Sequence, residues 1–311
     1  MAVPSPLFVH FGLDRGVSCS AIVTLNDETY LSVGTTGGNC RLFSLTNHLH
    51  VATVYDDLNK RSIVAVGQFS ENCIFLHIRA YKILVLSVNE NSKVLNFNIT
   101  KSIRTEYYGF CGAFRDKSNF FCPMYKNDKC KINIYSDISE ESSEVEFSDN
   151  RCSLMATSVT NNGYLICGFD DGNTRIVDIS DLTIKHEKQL YSDSIFSCAS
   201  FANMFAISSV KPPIMLCKCD GEITVEKEIM YPQKAGGCSS LCFSECGKML
   251  ASGYWNGTVR INSVKTGKIR AFLDFHSEII NFLHWNQVNK RRLLFVCSKD
   301  AKLSMWNLHN D

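Results

Sequence analysis

The chain has 311 residues, with 32 Lys plus Arg against 31 Asp plus Glu and a net charge of +1. A chain of roughly 300 residues can bury about three quarters of its unfolded surface, so a large core is within reach. The near-balance of charge argues against a dedicated nucleic-acid binder, and no apolar run nears the roughly 18 residues that span a bilayer. There are 15 cysteines. Residues 1–7 lack the basic start and long apolar run of a secretory leader. Together these place the chain in a reducing compartment, with its cysteines acting as small apolar residues.

Taken in order, the chain reads as short strands separated by turns. An isolated strand is expected over 7–11. Blade-like groups of strands then follow. The first covers 17–23, 30–35, 40–45 and 51–55, with Thr36-Gly37-Gly38-Asn39 as its central turn. The second covers 63–69, 73–78, 83–87 and 94–99. The third covers 109–114, 120–125, 131–135 and 144–147. The fourth covers 154–159, 164–169, 174–179 and 184–190, around Asp170-Asp171-Gly172-Asn173. The fifth covers 195–201, 204–209, 214–219 and 223–229, with Pro212 and Pro213 in its central turn, where a missing N–H costs little. The sixth covers 238–243, 250–254, 258–264 and 270–273. The seventh has only 279–285, 293–298 and 302–307. No segment carries a sustained helical stripe with caps.

The last two groups fix the repeat. Residues 249–261 and 294–306 each hold an apolar strand, a tight turn with Asn256 or Asp300, and an alternating strand. Asn256-Gly257 suggests a type I′ hairpin, which needs positive φ at both central residues. The two turns lie about 44 residues apart, a period of propeller blades. The expected fold is therefore all-β: a seven-bladed propeller forming one domain over 1–311. The spare strand at 7–11 completes the seventh blade by pairing beside 302–307, removing an open edge.

Two segments interrupt the pattern. Residues 136–149 are acidic and Ser-rich, a solvated edge loop or a phosphorylatable loop around Ser143. Asn289-Lys290-Arg291-Arg292 is an exposed basic turn, or else a nucleic-acid or nuclear-import signal. The sequons at Asn98 and Asn256 should stay unmodified in a chain that is not secreted, and the second is better explained as a turn.

His276, Ser298, Asp300 and Trp306 invite a triad reading. A catalytic serine needs an exposed elbow and an oxyanion hole. No G-x-S-x-G is present, so these four are expected to form a buried hydrogen-bond chain tying strands together. Blade six has Asn256 and Asn262 where blade seven has Asp300 and Trp306. Cys238 and Cys242 are expected on one face of a strand, with Cys246 in the turn after it and Cys217 and Cys219 two apart. They lack the C-x₂-C pairing of a zinc site and read as core thiols. Neither Gly247-Lys248 nor Gly267-Lys268 completes a P-loop, and no H-E-x-x-H occurs. No catalytic residue, cofactor or metal is expected. What remains is surface: Tyr254, Trp255, Phe169, Asp170, Asp171 and Lys299 are expected on one face as partner-binding residues, with Trp255 either an anchor or packed sideways.

The matching residues are Phe8, Val9, Gly12 and Val17 at the start, then 250–256, 259–261, 275–277, 298–300 and 303–308 at the end. On these the chain resembles WD-repeat proteins, and within them is similar to the family of G-protein-beta-subunit-like protein 1 and its fungal ASTRA-associated counterpart. That resemblance implies a non-enzymatic scaffold and co-chaperone, working with Tel2/Tti-type complexes on phosphatidylinositol-3-kinase-related kinases. It implies a monomeric propeller within a larger assembly, cytoplasmic and nuclear, binding neither nucleic acid directly nor membrane. The alternatives are a G-protein beta-like signalling subunit, for which the expected N-terminal helix has no room before residue 7, and a ubiquitin-ligase substrate-recognition propeller, for which no adaptor motif is visible.

Overall fold

The structure, a computed structural model, describes residues 4–89, 94–126, 129–136, 142–147 and 152–308. Seven four-stranded sheets account for the strands. Blade one is Val17–Leu25, Glu28–Thr35, Asn39–Ser44 and His50–Asp56. Blade two is Ile63–Ser70, Cys73–Ile78, Lys82–Val88 and Phe97–Arg104. Blade three is Phe114–Asp116, Asn119–Lys126, Lys129–Ser136 and Ser142–Glu146. Blade four is Leu154–Val159, Tyr164–Phe169, Asn173–Asp178 and Ile184–Gln189. Blade five is Ile195–Phe201, Met204–Ser209, Ile214–Cys219 and Ile223–Ile229. Blade six is Cys238–Phe243, Met249–Tyr254, Thr258–Ser263 and Ile269–Asp274. Blade seven is Ile280–Val288, Arg291–Ser298 and Leu303–Asn307, completed by the N-terminal strand Phe8–His10 beside Leu303–Asn307. The fold is a seven-bladed β-propeller.

By backbone packing, the chain divides into two compact units. Blades four to seven lie in one, and blades one to three in the other. The sequence reading took 1–311 as one domain. The acidic stretch falls partly outside the described residues, at 137–141 and 148–151. Its described part is the outer strand Ser142–Glu146, where Glu144 and Glu146 pair with Lys131 at 3.0 and 2.7 Å.

Every blade but the third begins in the same way. The first residue of the first strand lies opposite the last residue of the second, and a bulge follows at once. This holds for Val17, Ile63, Leu154, Ile195, Cys238 and Ile280. All six are fully buried. The penultimate residue of the second strand is glycine in blades one, four and six. A Cβ there would lie 2.9 Å from Ile63 Cγ2 at Gly34, and 2.5 Å from Cγ2 of Ile195 at Gly168 and of Ile280 at Gly253. Neighbouring blades therefore dock an isoleucine into the space that a side chain would fill.

Three expectations change. The Trp255-Asn256 turn is not type I′. Neither residue has positive φ, whereas Gly257 has φ 83° and its N–H donates to Tyr254 O at 3.2 Å. This is a turn followed by a left-handed glycine, and a Cβ on Gly257 would meet His276 O at 2.3 Å. Two-residue turns with both φ values positive occur instead at Asn26-Asp27 and Asn289-Lys290. The strand expected at 109–114 shortens to Phe114–Asp116. There Gly112 runs so close to blade two that a Cβ would be 2.7 Å from Ala65 Cβ.

Cys238 and Cys242 do not share a face, because the bulge between Cys238 and Ser240 reverses the alternation. Cys238 packs with Tyr231 and Tyr254, while Cys242 packs with Trp285 and Val296. Burial pushes both thiols, and that of Cys217, up to about 12.

Histidines whose pKa is lowered by burial make the fold acid-sensitive, His77 and His284 most strongly and His10, lowered to about 4, less so. His77 is fully buried, and its Nδ1 accepts the Ala113 N–H at 3.1 Å. His284 stacks on Phe295 at 4.6 Å. Burial lowers both to about 3, whereas an unfolded histidine titrates near 6.5. Below pH ~6.5 the unfolded chain therefore binds more protons than the folded one. Stability is complete above that pH and declines as pH falls toward about 3, by up to about 1.4 kcal/mol per pH unit per histidine. Urea titrations between pH 7 and 4 should show this slope, and His284→Gln should reduce it. An unchanged slope would remove His284 as a cause.

Candidate functional site

The polar constellation of blade seven is built from one loop, one turn and one strand. His276 lies in the loop before the first strand rather than opening it. Its Nδ1 is 3.1 and 3.0 Å from the two oxygens of Asp300, which sits in the turn after Ser298. Its Nε2 is 2.7 Å from Ser304 Oγ, and the Trp306 Nε1–H donates to that same Oγ at 2.7 Å. Asp300 Oδ2 also accepts the Ser277 N–H at 3.2 Å. With His276 donating from Nδ1 to Asp300, the Ser304 hydroxyl donates to Nε2 and accepts from Trp306. Every polar atom in the chain then has a partner.

The serine in this chain is Ser304, not Ser298. Ser298 Oγ donates to Glu278 O at 3.1 Å and accepts the Asp300 N–H at 3.2 Å, which pins the turn. The available signal was spacing. Ser304 and Trp306 stand two apart on one strand, so both side chains point to the same face.

An Asp–His–Ser order at these distances has the connectivity of a hydrolase triad. Its surroundings oppose that chemistry. Ser304 is fully buried, and the side chains of His276 and Asp300 are 2% and 3% exposed. The hydroxyl already accepts from an indole N–H, and no substrate carbonyl can reach it.

The expected partner-binding residues divide. Tyr254 and Phe169 are fully buried, which corrects their placement on the surface. Each is the last residue of a second strand, not part of a turn, and so points into the core. Tyr254 OH lies 2.9 Å from Ser252 Oγ and its ring packs 4.8 Å from Tyr231. Arg175 covers the Phe169 ring at 4.6 Å.

The other four lie on turns between second and third strands. Trp255 is half-buried and packs sideways. Its ring crosses Phe196 at 5.5 Å and covers Gly237, where a Cβ would be 2.6 Å from Cε2. Asp170 and Asp171 hold local structure. Asp170 accepts the Ser153 N–H at 2.8 Å, and Asp171 accepts from Asn173 and from the Cys152 thiol at 2.9 Å. These bonds hold the Asp171 carboxyl below its ordinary value despite its burial. Cys152, Asp170 and Asp171 offer ligand atoms within 4.8 Å of one another, but the thiol and carboxylate oxygens already bond each other and the backbone. Lys299 is exposed, 3.8 Å from Glu278.

Residues 197–288 match the family model of the anaphase-promoting complex subunit 4 WD40 domain. The WD repeat-containing protein 91 homolog of Dictyostelium discoideum is 27% identical over 158 residues, which is 47% of this chain and 20% of that protein. The chain is a seven-bladed β-propeller that resembles WD40-repeat proteins over 197–288. The match spans only about a fifth of that curated relative's length. Among solved structures, the propeller resembles the Cps50 (Swd1) beta-propeller domain of Myceliophteria thermophila. The TM-score is 0.76 at 12% identity, covering 97% of this chain and 100% of that one. It also resembles the computationally designed Ika8 protein, with TM-score 0.67 and 12% identity over 97% of this chain and 98% of that one.

The buried chain predicts an ordering of mutants. Ser304→Ala leaves His276 Nε2 and Trp306 Nε1 unsatisfied, and Asp300→Ala leaves His276 Nδ1 unsatisfied. Each should cost about 1–3 kcal/mol in urea unfolding. Ser298→Ala, which loses bonds only to the turn and one carbonyl, should cost less. Equal stability of Ser304→Ala and the parent would contradict the network.

Proposed function

We propose that this propeller is a non-enzymatic scaffold that holds other proteins together, working as a monomer within a larger assembly. The observation that carries this is the state of blade seven. The one Asp–His–Ser arrangement seen among the described residues is sealed and saturated. It secures the loop before blade seven to the blade's last strand, and its serine is closed to substrate. The functional capacity left to the molecule lies in its exposed turns and loops, carried on sheets with little freedom to move. Repeats of this kind serve as binding surfaces in unrelated proteins, so the fold alone does not choose the partner.

The finer reading is that the chain acts as a co-chaperone adaptor with Tel2/Tti-type proteins in the maturation of phosphatidylinositol-3-kinase-related kinases, in cytoplasm and nucleus. What supports it is the likeness of 250–256, 298–300 and 303–308, with Phe8 and Val9, to the family of G-protein-beta-subunit-like protein 1.

The test is affinity purification of the tagged chain from its own cells, followed by mass spectrometry. Recovery of Tel2/Tti-type proteins or large kinases is the expected result. Stable recovery of a different assembly would replace the co-chaperone reading and keep the scaffold. Recovery of the chain alone would overturn both.

A further inference from the structure

Blade two presents exposed apolar side chains beside cations. Its turn between second and third strands, Arg79-Ala80-Tyr81, is clamped by two loops. The Arg79 N–H donates to Ser62 O at 2.9 Å, Ala80 N–H to Tyr107 O at 3.0 Å, and Thr105 N–H to Tyr81 O at 3.2 Å. Both loops are anchored from below. Asp57, Thr105, Tyr107 and Cys111 are all buried. Between these anchors stand side chains that the fold leaves in solvent: Leu58 is 96% exposed, Tyr108 70% and Phe110 59%. Their neighbours in sequence are fixed, so these residues cannot turn inward. Rigidly held large apolar side chains in water mark an interaction site more often than scattered ones do.

Cations lie on the same surface. The Arg79 guanidinium sits 4.1 Å over the Phe110 ring, and its Nε donates to Tyr108 O at 3.0 Å. Arg61 covers Tyr81 at 3.5 Å, and Lys82 approaches that ring at 4.7 Å. Lys82 also lies directly across the ladder from Arg104, and like charges so placed repel. The acids nearby are already engaged. Asp56 pairs with Lys60 at 2.8 Å, Asp57 with Arg61 at 2.9 Å and Glu106 with Arg104 at 3.8 Å. Among the described residues no carboxylate pairs with Arg79 or Lys82. The surface therefore has unneutralised positive charge beside exposed aromatic and aliphatic groups.

We propose that Leu58, Arg79, Tyr81, Lys82, Tyr108 and Phe110 form a docking site for an acidic peptide segment of a partner protein, carrying a large apolar residue next to its carboxylates. The carboxylates take Arg79 and Lys82, and the apolar residue covers Phe110 and Tyr108. A peptide fits better than a nucleic acid strand. A strand needs a track of cations along its backbone, and here two free cations stand among apolar side chains. Arg and Tyr are also the residue types that dominate protein-protein binding energy. This surface rests on the scaffold reading and gives it a partner chemistry.

The test pans a random 12-residue peptide display library against the full chain. Enriched peptides are then synthesised and titrated by fluorescence anisotropy. The expected winners carry Asp or Glu beside Leu, Phe or Trp. Arg79→Gln/Lys82→Gln and Tyr108→Ser/Phe110→Ser should each weaken them at least tenfold while melting like the parent. Lys211→Glu, on a turn of blade five, should leave binding unchanged. Should the aromatic pair fail to fold, the charge pair alone decides the matter. Four results would overturn the proposal: no enrichment, neutral or basic winners, equal affinity for the glutamine variant, or tighter capture of a dodecathymidylate probe that the glutamine variant loses. Purification from cells keeps the two readings separate. If the glutamine variant recovers every partner of the parent, this site is wrong and the scaffold stands. If the parent recovers none, the scaffold itself is wrong.

Discussion

The fold depends on one steric fit, repeated from blade to blade. In blades one, four, five and six a residue with little or no side chain, next to last in the second strand, leaves room for the residue that starts the next blade. Gly34 admits Ile63, Gly168 admits Ile195 and Gly253 admits Ile280. Blade five uses Ser208, whose hydroxyl donates to Cys238 O at 3.0 Å. Blade two departs from this. It has His77 there, and the ring accepts the Ala113 N–H in place of a packed methyl group. Fully burying each isoleucine is worth roughly 1.5–3 kcal/mol, and a sheet of four short strands gains little stability alone. The bulge after each of these residues turns the first strand so that its later residues face the neighbouring blade. The hydroxyls of Ser18 and Ser239, at the bulge, donate to the carbonyls of Ile63 and Ile280 and link blade to blade with a hydrogen bond.

The polar chain of blade seven acts within one blade, whereas the isoleucine fit acts between neighbours. His276 arrives on a loop, Asp300 on a turn, and Ser304 and Trp306 on the last complete strand. Three hydrogen-bonded contacts fasten them to one another, while Ile280 still seats blade seven at Gly253 of blade six. Blade six has no such chain. In its place Ser252 bonds Tyr254, and Tyr254 packs on Tyr231. Groups able to do acid-base chemistry are thus used to hold strands. The parts that meet other molecules are loops such as 57–62 and 105–113, whose buried residues hold their exposed ones in place.

Much of this was legible in the sequence, and the rest failed for local reasons. Hydrophobic alternation and Gly turns placed the strands of blades one and four to seven within a few residues, and the spare N-terminal strand pairs where its position suggested. Blade three was harder. Gly112 marks a close approach to blade two rather than a strand, so 109–113 became an anchored loop. Tyr254 and Phe169 were read as strand ends, at 250–254 and 164–169, yet were expected on the binding face beside Trp255 and Asp170. A one-residue difference between strand end and turn decides whether a side chain points to core or water. Cys238 and Cys242 were misplaced by a bulge, which no count of spacing reveals. Ser298 was named where the structure uses Ser304, whose parity with Trp306 on one strand puts both side chains on one face. Leu58, Tyr108 and Phe110 carry no motif, and their exposure follows only from the burial of the residues around them.

The most direct test of this account is a double-mutant cycle at the seat between blades six and seven, read by urea unfolding. Gly253→Ala should overpack the site and cost about 1–3 kcal/mol, since its Cβ would stand 2.5 Å from Ile280 Cγ2. Ile280→Ala should leave a cavity and cost about 2–5 kcal/mol. The double variant should be more stable than the sum of the two losses implies, by about 1 kcal/mol or more, because the new methyl group occupies the space the isoleucine leaves. Strictly additive losses, or a Gly253→Ala chain as stable as the parent, would contradict the claim that this fit holds the blades together.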